Sequence, residues 1–175
     1  LEGREIQSPV YNFSRGIRHP DKTLPIRLKD NQVLIIEGIH GLNPRLAYAI
    51  DQKQKFAIYV SALTQLTIDE HNRIFTSDVR LIRRIVRDRL YRGYTAKETL
   101  RQWTHVRAGE EKWLFPFQEQ ADAMMDTSLV YEQAVLKPMA ERFMMEVPPR
   151  SAEFTEAYRL FNFLDLFIPI LEREV

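Results

Sequence analysis

The chain has 175 residues, 45% of them hydrophobic, so it can bury one sizeable core, and a single globular domain is expected. Its 25 basic and 24 acidic residues leave a net charge of +1, which disfavours nucleic acid or a membrane as partner. Cysteine is absent, which excludes disulfides and thiolate metal sites, and every apolar stretch is too short or too interrupted to span a bilayer; we expect a cytoplasmic protein.

The first third of the sequence predicts an α/β fold. Residues 7–30 contain several prolines among charged residues, which indicates a loop-rich region with one short strand. Residues 32–36 form an aliphatic run that ends at Glu37, a pattern typical of a strand buried on both faces of a parallel sheet. Residues 55–60 form a second such run, and residues 44–50 fit a short crossover helix between the two strands.

The middle of the chain predicts helices. Residues 64–71 suggest a short helix, and any of residues 76–78 can cap a long helix that begins near Val79. Thr95 followed by Glu98 three positions later is a capping-box pattern, which predicts the start of a second long helix.

The last third mixes both element types. Residues 121–128 predict a short strand or a loop, and residues 131–139 predict a helix. Residues 142–147 are interpreted as a last strand, and residues 152–166, which follow two prolines, have helical periodicity.

The long helix carries a stripe of arginines. They recur at i, i+3, i+4 and i+7 and therefore share one side of the helix, opposite an apolar side; they are Arg80, Arg83, Arg84 and Arg87. Because the planar guanidinium group suits phosphate oxygens, the stripe favours an anion-binding site. The alternative is a solvated helix face whose charges are relieved by nearby carboxylates.

Two further features are candidates for chemistry. Glu37 follows the predicted strand 32–36, and an acidic group at a strand's carboxyl end can contact metal-bound water or a substrate hydroxyl, although such a carboxylate can also be structural. Tyr11, Asn12 and Phe13 can stack on or hydrogen-bond a base, or can simply anchor a loop in the core. The four histidines have no metal-ligand spacing, and no Gly-x-x-x-x-Gly-Lys-Ser/Thr phosphate loop occurs.

Three stretches in order resemble successive motifs of the uridine kinase/phosphoribulokinase family: Tyr-Asn-Phe at 11–13, Val-Leu-Ile-Ile-Glu-Gly-Ile-His at 33–40 and Ser-Asp-Val-Arg-Leu-Ile-Arg-Arg-Ile-Val-Arg-Asp at 77–88. Motifs between residues 106 and 132 extend the similarity, which looks closest to a bacterial uridine kinase-like subgroup. The resemblance implies a partial P-loop NTPase fold, with a parallel sheet, flanking helices, a lid helix and a C-terminal helical extension. It also implies ATP and Mg²⁺ as cofactors and a nucleoside hydroxyl as acceptor.

The resemblance also implies roles for individual residues. Tyr11 and Phe13 would line the acceptor pocket, and Arg84 and Gln102 would contact the acceptor. Arg87 would stabilise the transferred phosphoryl group from the lid helix. Glu37 would face the nucleotide and magnesium. Arg80 and Arg83 are predicted, with Arg87, to bind the nucleotide.

Three positions depart from the family pattern on the acceptor side. Gly16 stands where the family has a base-recognising histidine, Asn12 replaces an aspartate, and Tyr94 stands where an arginine is expected. In this family the P-loop and the catalytic aspartate lie upstream of Leu1, so we expect the chain to be a piece of a longer protein and to be inactive alone; a processed or engineered start is the alternative.

The resemblance predicts two parts, the C-terminal part of a kinase domain at residues 1–147 and a helical extension at residues 148–175. The predicted function is phosphoryl transfer from ATP to a nucleoside-like acceptor. The competing hypothesis is a non-catalytic domain that binds nucleotide, RNA or a protein partner. Family analogy also suggests a homo-oligomer.

Overall fold

The computed structural model describes residues 3–12 and 16–171. The chain divides into two compact units, Leu1–Gly38 and Ile39–Val175. Within the described residues, no helix is both long enough and apolar enough to cross a membrane.

The first unit contains an antiparallel hairpin of strands β1 (Ile6–Asn12) and β2 (Ile17–Ile26). This region was expected to form loops with one short strand, and it forms two strands instead. Prolines are tolerated because each strand of a two-stranded ribbon has a free edge, where no N–H is needed. The register shifts between Pro9 and Tyr11, and Gly16 at the hairpin end has φ +66°, a backbone conformation that favours glycine.

Residues 32–37 do not form the predicted strand. They run extended without pairing to any strand of the described chain, and Val33 and Ile35 are 88% and 87% exposed. A strand needs a neighbour for its backbone hydrogen bonds, and an apolar sequence cannot supply one. The predicted crossover helix at residues 44–50 is also wrong: it is a series of turns, because so short a segment does not offset the cost of helix nucleation.

The second unit contains the predicted parallel sheet, reduced to two strands, β3 (Ile58–Ser61) and β4 (Ala123–Asp126). The side chain of Asp122 accepts a hydrogen bond of 2.7 Å from the Ala57 N–H, which ties the starts of the strands together. The strand alternative for residues 121–128 and the α/β class are therefore confirmed.

The described residues of this unit also form four α-helices, numbered α1 to α4: Thr76–Tyr91, Ala96–Trp113, Glu132–Met145 and Phe154–Leu164. Short 3₁₀ segments lie at Gln52–Gln54 and Phe115–Gln120. The predicted last strand at 142–147 is wrong, because Ala140, Phe143, Met144 and Val147 are buried at a spacing that matches one side of a helical turn.

The two long helices begin differently. Helix α2 has the predicted capping box, in which Thr95 and Glu98 each accept a hydrogen bond from the other's backbone N–H. Helix α1 begins at Thr76, one residue after Phe75, whose side chain makes no cap, so the cap predicted within residues 76–78 is wrong. The short helix predicted at 64–71 is absent too. There the Asp69 carboxylate accepts hydrogen bonds from the backbone N–H groups of the residues two and three positions later. These bonds close a turn.

The main core lies between the four helices. Leu81, Ile82 and Ile85 of α1 have no exposed surface, and they pack with Leu160 and Leu164 of α4, which are equally buried. Burying one such side chain contributes roughly 1.5–3 kcal/mol. Helix α1 is therefore a central core helix, and its arginines project from a firmly packed support.

Candidate functional site

Arg80 and Arg83 reach from α1 to buried carboxylates on other elements. Arg80 pairs with Glu110 of α2, which also lies 3.2 Å from Arg107. Arg83 pairs with Glu132 at the start of α3 and also donates to Thr127, to its carbonyl oxygen and, at 3.2 Å, to its hydroxyl. These two arginines are held by protein carboxylates and link α1 to α2 and to α3.

The other arginines converge on Asp88, a carboxylate on α1 that is only 1% exposed. Arg87 donates to Asp88 Oδ1 from Nε at 3.0 Å and from Nη2 at 2.8 Å. Arg84 Nε lies 3.2 Å from Oδ2, and Arg92 Nη1 lies 3.5 Å from Oδ1. Three guanidinium groups thus lie within 3.5 Å of this one carboxylate, which crowds positive charge around a single acid.

The backbone holds Asp88 in place at the end of α1. Its carbonyl oxygen accepts hydrogen bonds of 3.1 Å from the N–H groups of both Arg92 and Tyr94. The chain can turn back in this way because Gly93 has φ +73°, a conformation that glycine adopts without strain. The carboxylate of Asp88 is consequently presented from a fixed point on the last helical turn.

Burial lowers the pKa of the Arg84 guanidinium, and the positive charges of Arg87 and Arg92 lower it further, while the negative charges of Asp88 and Glu110 raise it. Arg84 remains charged at neutral pH because an arginine pKa starts so high. Arg84 Nε and Asp88 Oδ2, although close, lack hydrogen-bond geometry, and both atoms are buried. An anion placed here would meet guanidinium donors whose charge the protein only partly neutralises.

The stripe predicted from the sequence therefore has two environments. Arg80 and Arg83 fit the alternative in which nearby carboxylates relieve the charge. Arg84 and Arg87, 22% and 45% exposed at the side chain, belong to the positively charged cluster around Asp88. We call the set of Arg84, Arg87, Asp88 and Arg92 the Asp88 cluster.

The remaining predicted site residues lie outside this cluster. Gln102 is half-buried on α2, beside Trp103, whose ring centroid is 6.0 Å from the Arg80 guanidinium carbon. Tyr11 lies on β1, 50% exposed, and Phe13 is outside the described residues. Glu37 is exposed in the unpaired segment, so its expected position at a strand end is wrong. The roles of these residues remain predictions.

Two groups of polar residues were missed by sequence reasoning. One is the Asp88 carboxylate itself. The other lies at the carboxyl ends of β3 and β4, where Asp126 Oδ1 accepts N–H groups from Leu63 at 2.9 Å and Ser128 at 2.8 Å. Hydrogen bonds from Ser128 and then from Leu63 hold the Asp126 pKa below its usual value. The available signal was the Asp-Thr-Ser run directly after an apolar stretch, since polar groups gather where parallel strands end.

The described residues offer guanidinium donors, which suit phosphate oxygens. No group of three or more His, Asp or Glu side chains in residues 3–12 and 16–171 is arranged to hold a metal ion. An apolar hollow of about 160 Å³ between α3 and α4 is lined by Met144, Met145, Phe154, Ala157, Tyr158 and Phe161. Its lining carries no charged side chain, so the Asp88 cluster is the candidate site.

The model of the phosphoribulokinase/uridine kinase family matches residues 1–132, so the chain belongs to this family of kinases. The predicted family is confirmed. The match ends where α3 begins, so nearly all of α3 and all of α4 lie outside the matched region.

Among its relatives is a uridine kinase of Clostridium perfringens, 35% identical over 61% of this chain and 42% of the relative. A uridine kinase of Macrococcus caseolyticus is 32% identical over 70% of this chain and 51% of the relative. The uridine kinase of Saccharomyces cerevisiae is 33% identical over 71% of this chain and 21% of the relative. The matched part of the chain thus spans about half of these relatives' length or less.

Proposed function

We propose that the protein carrying this chain transfers the γ-phosphoryl group of Mg-ATP to a hydroxyl of a uridine- or cytidine-like nucleoside or a related small acceptor. In this proposal the chain supplies acceptor and lid residues. The observation that carries the proposal is the Asp88 cluster, in which three arginines meet a single buried carboxylate on a core helix.

Phosphoryl transfer needs positioning and cationic stabilisation more than covalent chemistry by the protein. The γ-phosphoryl group passes through a loose transition state with charge on its equatorial oxygens, and guanidinium donors fit those oxygens. Magnesium bound to ATP would neutralise part of the phosphate charge. Since α1 is anchored in the core by Leu81, Ile82 and Ile85, the arginines would be held before the substrate arrives, which is what electrostatic stabilisation requires.

Arg87 is our candidate for direct contact with the transferred phosphoryl group, because its side chain is the most exposed of the stripe at 45%. Arg84 is our candidate for the acceptor contact. Arg80 and Arg83 would have to leave Glu110 and Glu132 to contact the nucleotide, so we propose that they act mainly by fixing α1.

We propose that four residues contribute to the acceptor side of the site: Tyr11, Phe13, Gln102 and Glu37.

Gly16 distinguishes this acceptor region from the family pattern in a physical way. Its φ of +66° is unfavourable for any side chain, so a histidine at this position would be strained in the hairpin. We therefore expect base recognition to rely on residues other than the one that the family pattern uses.

The test is a kinase assay on the full-length protein with Mg-ATP and a panel of nucleosides, monitored by ³¹P NMR. We expect ADP and a nucleoside monophosphate to appear, and Arg87→Ala to lower kcat by on the order of 10²–10³-fold. Arg89→Ala is the matched control. It lies on the same helix but pairs with Glu146, and should leave kcat unchanged. If ATP is not consumed with any acceptor in the panel, the proposal is wrong.

We further propose a cytoplasmic location, a kinase part at 1–147 with an extension at 148–175, and a homo-oligomer. Fluorescence microscopy of a tagged protein tests the location. Limited proteolysis tests the boundary between the two parts, and sedimentation equilibrium tests the oligomer. Cleavage confined to the region of Pro148 would support the boundary. A sedimenting mass equal to one chain would contradict the oligomer.

A further inference from the structure

Asp88 is buried and charged, yet none of the predicted roles uses it. It accepts two hydrogen bonds from Arg87, lies within 3.2 Å of Arg84 and within 3.5 Å of Arg92, and is 1% exposed. A buried carboxylate requires compensation, and one arginine would be enough to provide it. Three arginines exceed that need, which indicates that the carboxylate also serves the arginines.

We propose that Asp88 is a positioning residue that holds Arg84 and Arg87 side by side as a preformed pair for a polyphosphate. This inference rests on the proposed function, since it assigns a task to the same site. Without the carboxylate, three like charges on adjacent turns would repel one another and extend into water. With it, they are held together while keeping the positive charge that attracts phosphate.

The number of arginines in contact with one carboxylate distinguishes this cluster from the other arginine contacts of α1. Arg83 has Glu132 as a partner, and Glu110 serves Arg80 and Arg107. Only Asp88, among the described carboxylates that form these ion pairs, lies within 3.5 Å of three guanidinium groups; Glu110 forms two ion pairs and acts on Arg84 through its charge alone. A second carboxylate in contact with these arginines would cancel their attraction for phosphate. Without any carboxylate, Arg84 and Arg87 would be disordered.

A purely structural role for Asp88 would be closure of the helix end, but that closure uses its backbone. The bonds from the Arg92 and Tyr94 N–H groups end on the Asp88 carbonyl oxygen, which any residue supplies. Asp88→Asn keeps this carbonyl and the side-chain shape, and it removes only the negative charge. The substitution therefore tests the charge rather than the cap.

Asp78→Asn is the matched control, because Asp78 is also an aspartate on α1, is 8% exposed and accepts two arginine hydrogen bonds, from Arg159 at 2.7 and 2.8 Å. Both variants should lower the melting temperature. We expect only Asp88→Asn to lower kcat, by on the order of 10–100-fold, with the KM for ATP unchanged or lower. The lower KM would follow because the freed arginines bind ground-state phosphate at least as well.

A double variant adds a second readout. If Asp88 acts through Arg87, Asp88→Asn should lower kcat much less in an Arg87→Ala background than in the wild type. If the two reductions in kcat simply multiply, Asp88 does not act through Arg87 and the proposal is wrong. Equal kcat and KM values for Asp88→Asn and Asp78→Asn would also overturn it while leaving the proposed function intact.

An assay without turnover distinguishes failure of the inference from failure of the proposed function. The Arg Nε–Hε NMR signals of the full-length protein are recorded with and without inorganic tripolyphosphate. We expect the Arg84 and Arg87 signals to shift together in the wild type and in Asp78→Asn, and to lose this joint response in Asp88→Asn. That result without any kinase activity would support the inference and refute the proposed function. No shift in the wild type would overturn the inference.

Discussion

The apolar side of α1 and the extended segment at residues 32–37 have similar compositions and opposite fates. Ile82 of α1 has no exposed surface, whereas Ile35 of the segment is 87% exposed. The helix satisfies its own backbone hydrogen bonds and needs only a surface to pack against, which α2, α3 and α4 provide. A strand also needs a hydrogen-bonding neighbour. An apolar pattern thus indicates what should be buried, but a strand is buried only where a partner pairs with it.

The largest expected effect comes from truncating the same residue type in both regions. Ile82→Ala removes fully buried methyl groups and should lower the free energy of unfolding by about 2–5 kcal/mol, whereas Ile35→Ala should change it by less than about 0.5 kcal/mol. Urea denaturation followed by circular dichroism measures both. If Ile35→Ala costs as much as Ile82→Ala, the segment is packed in solution and the contrast between the two regions fails.

The second effect concerns what holds α1 against its neighbours. Arg159 of α4 forms two hydrogen bonds with Asp78 in the first turn of α1, and its hydrogen bonds to Glu156 and Asp78 raise the pKa of its guanidinium. Because Arg159 is 46% exposed at the side chain, solvent screens the pair, and we expect Arg159→Ala to cost about 1–2 kcal/mol of unfolding free energy.

Arg101→Ala is the control for this measurement, because Arg101 contacts Glu153 but is 63% exposed at the side chain. It should cost less than about 1 kcal/mol, the usual range for a surface ion pair. Equal losses for the two variants would show that the Arg159 pair adds nothing specific to the docking of α4 on α1.

The smallest effect tests a helix start that is encoded locally. Thr95→Ala removes the side-chain half of the α2 capping box and should lower the free energy of unfolding by about 0.5–1 kcal/mol. The hydrogen bonds from Thr95 hold the Glu98 pKa below its ordinary value. Glu98 therefore contributes stability above its unfolded-state pKa, and the contribution is lost as pH falls through the lower folded-state pKa.

We accordingly expect the stability difference between the wild type and Thr95→Ala to shrink in acid, below about pH 4.3. Urea denaturation at pH 7 and at pH 3 measures this change. A difference that is the same at both pH values would show that the Glu98 charge does not take part in the cap.

Several features were predicted from sequence because they depend on neighbours along the chain. The capping box at Thr95 and Glu98 and the family motifs are of this kind. The arginine stripe was found from its spacing alone, since helical period decides which residues share a side. The partners of the arginines could not be found in this way, because Glu110 and Glu132 lie 30 and 49 positions away from the residues that they bind.

What the sequence determined by itself is the helical periodicity of α1, the arginines on it, the cap of α2 and membership of a kinase family. Only the tertiary structure decided which arginines are neutralised and which surround Asp88, and that residues 32–37 lie unpaired. The physical reason is the distance along the chain over which each kind of interaction acts. Propensity and capping act within one or two turns, whereas charge compensation and strand pairing depend on groups that folding brings together from distant parts of the chain.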